Sequence, residues 1–112
     1  MRIAIAAVGR MKQGPERELV GRYLERAVGT GKPLGLTGFE TIDLTESRAS
    51  SSPARKADEA KALRAALPEG IVVALDERGK TQGSEAFANQ IARWRDDGRP
   101  AVSFVIGGAD GL

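Results

Sequence analysis

The sequence contains neither cysteine nor histidine. Without cysteine, a disulfide framework and a thiolate metal site are both excluded. Without histidine, Ser-His-Asp and Cys-His nucleophilic machinery and nearly all zinc enzyme chemistry are excluded as well. No metal is therefore expected. Any reaction must use carboxylates, lysine, arginine, hydroxyls or backbone groups, or must need little acid–base assistance. Aromatic residues make up only 4% of the chain, too few to form a platform on which nucleic-acid bases stack. Long apolar runs are missing too. Residues 1–9 are apolar for too short a stretch to span a bilayer, and a secretory signal would need a longer apolar segment and a cleavage site. They read instead as a buried first strand, and the chain is expected to be cytoplasmic with no membrane partner. Charge of one sign is also lacking, since 17 basic residues face 15 acidic ones for a net charge of +2. The pI of 9.3 reflects the absence of histidine buffering. It is compatible with an RNA partner without being evidence for one.

What is present suffices for one compact α/β domain over residues 1–112. The apolar pattern switches between short continuous runs and helical spacing. Residues 3–8 form the first run. A helix opens at Gly14-Pro15 and carries Leu19, Val20, Tyr23, Leu24, Ala27 and Val28 at helical intervals, with Gly29 suited to the position after its last turn. Residues 29–38 read as a loop, residues 39–44 as a modest strand, and the serine-rich residues 46–52 as a mobile surface loop. A second helix follows Ser52-Pro53, with Ala57, Ala60, Leu63 and Leu67 on one face, and ends before Pro68. Residues 71–75 and 101–106 are apolar without alternation, the pattern of strands covered on both faces in a parallel sheet. Between them Ser84 is placed as an N-cap, Phe87, Ile91 and Trp94 as a buried stripe, and Gly98 as a stop. The order strand, helix, strand, helix, strand, helix, strand specifies a parallel sheet with flanking helices and right-handed crossovers.

Ligands of open parallel sheets bind beyond the carboxyl ends of the strands. Two such ends carry chemistry here: Leu75-Asp76-Glu77-Arg78-Gly79, and Ile106-Gly107-Gly108-Ala109-Asp110-Gly111. Paired glycines let a flat, polar ligand approach the main chain, although a lone Gly-Gly after a strand is more often simply a turn. A dinucleotide fingerprint is absent, because the turn after the first strand has only Gly9. Basic residues such as Arg10, Arg22, Arg48 and Arg93 interleave with acids. Glu18 precedes Arg22 by four, so a salt-bridged, solvated helix face is the simpler reading.

Together, Val8-Gly9, the run Val73-Ala74-Leu75-Asp76-Glu77-Arg78-Gly79-Lys80, the stretch from Phe87 through Trp94 to Asp97-Gly98, and the loop ending Asp110-Gly111-Leu112 resemble the ribosomal RNA large subunit methyltransferase H family. The resemblance spans the whole chain. It is strongest from residue 71 onward and loose between residues 29 and 66. It implies a SPOUT-class α/β methyltransferase whose carboxyl-terminal segment threads a trefoil knot. It also implies a homodimer that uses S-adenosylmethionine to methylate N3 of a pseudouridine in 23S rRNA of the assembled ribosome. The family's cofactor contacts fall on Leu75, Gly107 and Gly108. The knot segment lies later in the family and is absent from this chain. A fully apolar last strand with no helix after it likewise leads us to expect a protein that continues beyond residue 112, with Leu112 hanging from the final turn. No side chain is assigned a catalytic role, since methyl transfer to an imide nitrogen depends more on alignment than on a strong base. The alternatives are a non-catalytic nucleotide-binding α/β module and an inactive truncated fragment of the enzyme.

Overall fold

A computed structural model describes residues 1–112. Strand β1 (Arg2–Val8) leads into helix α1 (Pro15–Gly31), which ends in a short 3-10 turn (Lys32–Leu34). Then follow β2 (Thr37–Leu44), α2 (Ser52–Ala66), β3 (Ile71–Leu75), α3 (Ser84–Asp96) and β4 (Ala101–Ile106). The expected succession of strands and helices is present in full. No helix is long and apolar enough to cross a membrane.

The four strands form one parallel sheet in the order β2-β1-β4-β3. Right-handed crossovers fix which face each helix covers. The chain steps from β1 outward to β2, then across the whole sheet to β3, then back to β4. Each reversal of direction sends the helix to the opposite face. So α1 and α3 share one face, where Ala27, Gly31, Phe87 and Ile91 surround Ile3, Phe39 and Phe104. The Phe87 and Phe104 rings meet edge to face with centroids 5.9 Å apart. Helix α2 lies alone on the other face, where Leu63 joins Ala6, Val8 and Val105 in a buried cluster. Alternation along β1 explains the division, since Ile3 and Ala4 necessarily point to opposite sides. Burying Leu63 contributes about 2 kcal/mol.

Several expectations needed correction. Strand β3 is not covered on both faces: it is an edge strand, with Val72 and Leu75 each about half exposed. An unbroken apolar run cannot distinguish a central strand such as β4 from this edge. Helix α1 runs through Gly29 to Gly31, and the left-handed residue is Gly35, at φ 82°. The closer stop failed because Gly31 is buried against Leu36 and Phe39, so packing carries the helix past Gly29. The cap of α3 is Gly83, with Ser84 its first helical residue and no side-chain cap bond. Of the Phe87, Ile91 and Trp94 stripe, Phe87 and Ile91 line the sheet-side space with Phe104, and none of the three is fully buried, Phe87 staying 37% exposed. None of the ion pairs joins residues four apart on a helix, and Glu18 and Arg22 form none. Leu112 does not hang free, since it packs against the Ala6, Val8, Leu63 and Val105 cluster.

Candidate functional site

The carboxyl ends of β3 and β4 are adjacent in the sheet, with Leu75 paired to Ile106. The loops that leave them therefore converge. They enclose a cleft of about 520 Å³ lined by Lys56 and by residues 75–78 and 106–112. Leu75, Gly107 and Gly108, distant in sequence, all line it. The cleft offers two kinds of surface. Leu75 and Ile106, 53% and 42% exposed, present apolar side chains at the strand ends. The glycine loop and the charged residues Lys56, Asp76, Glu77, Arg78 and Asp110 complete the lining.

The glycine loop is folded tightly on itself. The Gly111 N–H donates to the Gly108 carbonyl at 3.0 Å, and the two residues form an isolated bridge. A β-carbon on Gly107 would lie 2.6 Å from the Gly111 backbone. One on Gly108 would lie 3.0 Å from Glu59 Oε1 and 3.1 Å from Val8. Neither position admits a side chain without moving what lies beneath it, so the pair is required by packing as well as by access.

Helix α2 holds this loop. Arg55 donates through Nε and Nη2 to Asp110 at 2.6 and 3.2 Å, and through Nη1 to the Ala49 carbonyl at 3.1 Å. The fork geometry suits a planar guanidinium on a carboxylate. This bond holds the Asp110 carboxyl below the usual carboxylate range and raises Arg55. One turn further along α2, Glu59 is buried beneath Gly108. Its Oε2 accepts the Ser47 N–H at 2.9 Å, while its Oε1 is buried without a partner. The segment read as a mobile loop is thus anchored: Ser47 also donates to Asp58 at 2.9 Å, and Ser51 caps α2 by accepting from the Ala54 N–H. Its serines satisfy backbone and helix groups, which composition alone does not distinguish from solvated polarity.

On the other wall, Asp76 closes its own turn. Its Oδ1 accepts the Arg78 N–H at 2.8 Å, and its carboxylate also receives the Arg78 guanidinium at 3.3 and 3.4 Å. The guanidinium bond first, and the backbone bond second, hold Asp76 below the usual range.

A second cleft, of about 500 Å³, opens at the same edge of the sheet between the loops after β1 and β2. It is lined by Gly9, Arg10, Thr45, Glu46, Ser47 and Arg48, with no apolar side chain. It lies where the crossovers α1 and α2 depart to opposite faces, the usual position of a ligand crevice in open α/β sheets.

Sequence reading singled out neither Glu59 nor Arg55 as a site residue. The one available signal was an acidic residue, Glu59, on the helical stripe of Leu63. Comparison with known proteins gives the following. A family model described as "Predicted SPOUT methyltransferase" matches residues 1–112. A protein of Rhodopseudomonas palustris strain CGA009, named ribosomal RNA large subunit methyltransferase H, is 54% identical, with 100% of this chain and 71% of the relative covered. Proteins of the same name from Bradyrhizobium sp. strain BTAi1 and Methylobacterium radiotolerans are 53% and 52% identical. All of this chain is covered in both, with 71% and 70% of the respective relatives.

Proposed function

This chain belongs to the SPOUT methyltransferase family, and from that premise we propose that it methylates a base of large-subunit ribosomal RNA, with S-adenosylmethionine as donor. The carrying observation is similarity, over the whole of this chain and 70–71% of the relatives, to proteins bearing the name ribosomal RNA large subunit methyltransferase H. The finer reading is N3-methylation of a pseudouridine in 23S rRNA of the assembled ribosome, by a homodimer acting in the cytoplasm. Residues 1–112 contribute one α/β domain to it.

The cleft between the β3 and β4 loops fits such a cofactor. Its apolar strand ends can hold the flat adenine, and Gly107 and Gly108 expose main chain where any side chain would collide with the loop's own support. Leu75, Gly107 and Gly108 are the residues proposed to hold it. When bound, the cofactor supplies a methyl group activated by a sulfonium. The protein's own part is positional. Arg55, through Asp110, and Glu59, under Gly108, fix the loop so that donor and acceptor can be aligned, and alignment alone lowers a barrier by several kcal/mol. A chain without histidine loses nothing in such a reaction, so no side chain is given a catalytic role.

The test is incubation of the full chain with ribosomes and methyl-labelled S-adenosylmethionine, followed by nucleoside mass spectrometry. Label is expected in large-subunit RNA as a methylated pseudouridine. Cofactor binding without any labelled RNA would favour a non-catalytic nucleotide-binding module instead.

A further inference from the structure

The charges that line the cofactor cleft are not equally engaged. Asp110 is held by the Arg55 fork from beneath, and Asp76 by the backbone and guanidinium of Arg78. Both aspartates are therefore already paired, and so is the Arg78 cation. Two lining charges remain without an opposite charge within ion-pair distance, Lys56 and Glu77. Lys56 projects from α2 one residue beyond Arg55 and is half-buried as a whole residue. Asp76 and Asp110 are lowered chiefly by their bonds to Arg78 and Arg55, and the nearby Lys56 charge adds a smaller effect of the same sign to each. Glu77 stands on the β3 side of the same cleft.

One free cation and one free carboxylate lining the same cleft are complementary to a zwitterion. An α-amino acid group carries both charges, whereas a purine nucleoside carries neither. Resting on the cofactor reading above, we infer that Lys56 is the residue that receives the carboxylate of the cofactor's amino-acid moiety, with Glu77 facing its ammonium. Lys56 is then a specificity-determining residue. It separates ligands that keep the amino-acid tail from those that have lost it, whereas Leu75 and the glycine loop do not.

Calorimetric binding to the full chain at low salt tests this with two ligands. S-adenosylhomocysteine carries the amino-acid tail, and 5′-methylthioadenosine lacks it. A charged hydrogen bond is worth roughly a tenfold change in affinity or more. Lys56→Met is expected to weaken S-adenosylhomocysteine about tenfold and leave 5′-methylthioadenosine within about twofold, with Lys56→Arg recovering most of the loss. Equal weakening of both ligands would overturn the inference, because Lys56 would then be acting through the shape of the cleft. Unchanged binding of both would overturn it too. If the unaltered chain binds neither ligand, the cofactor reading itself fails and carries this inference with it.

Discussion

The carboxyl edge of the sheet carries two clefts of nearly equal size, about 520 and 500 Å³, made of different material. The one between the β3 and β4 loops has apolar strand ends, a glycine pair whose main chain is open, and charges arranged on both walls. The one between the β1 and β2 loops has arginines, an acid and hydroxyls, but no apolar side chain. Topology alone would favour the second, since the helices diverge there. Chemistry favours the first, because Leu75 and Ile106 offer apolar side chains for a nucleoside's ring beside a few placed polar groups. The position of a crevice in a fold is thus a weaker guide than what lines it.

The two clefts share a strut. Glu59 touches the first through Gly108 and the second through the Ser47 N–H. A series of variants tests how far they are independent, and the largest effect is expected at Gly108. Valine there would drive atoms into Glu59 and Val8, which lie 3.0 and 3.1 Å from the first added carbon. Overpacking of this kind costs about 1–3 kcal/mol, and the loop rather than the core is the part able to move. Gly108→Val should lower affinity for S-adenosylhomocysteine by about tenfold or more and, through the same overpacking, lower the melting temperature by several degrees. Unaltered affinity would remove the glycine loop from the site.

Glu59→Ala comes next. It strands a backbone N–H at Ser47 and leaves a void beneath Gly108, a loss of about 1–3 kcal/mol. Because the residue supports both loops, hydrogen exchange should accelerate together in residues 45–49 and 107–111. Acceleration in one segment alone would mean that the clefts are mechanically separate. Glu59→Gln keeps the volume and one acceptor and should fall between the two.

Asp110 gives a smaller, pH-dependent effect. Its carboxyl is held below the usual range by Arg55, so the pair contributes stability above the unfolded carboxylate pKa of about 3.9 and loses it as pH falls through the lower folded value. Between neutrality and about pH 5 the loop should stay closed, and below about pH 4 it should loosen. Asp110→Asn should remove this acid-dependent part of the melting curve. An identical acid limb in the variant would show that the ion pair does not hold the loop.

Much of this was legible in the sequence, for definite reasons. Alternating periodicities gave the succession of elements, and the glycine pair and Leu75 could be picked out because strand ends and missing β-carbons have local signatures. That the three would share one cleft depends on β3 lying beside β4, which the order of elements does not determine. What stayed hidden was relational. Glu59 is a solvated helix residue until the fold brings Ser47 and Gly108 to it, 12 and 49 positions away. The edge position of β3 is likewise a property of its neighbours and not of its residues. The same holds for residues 46–52, whose serines look loose in composition and are bound in three dimensions.

The smallest effect is expected in the second cleft, where a null result is informative. Arg10 and Arg48 are exposed, form no ion pair, and line a space without apolar side chains. Replacing both with alanine removes charge but no packing, and exposed charges away from caps and networks change stability by less than about 0.5 kcal/mol. Affinity for S-adenosylhomocysteine should stay within about twofold of the unaltered chain. A loss matching that of Gly108→Val would mean that the ligand extends into, or sits in, the cleft at the divergence of α1 and α2. The topological rule would then have been the better guide after all.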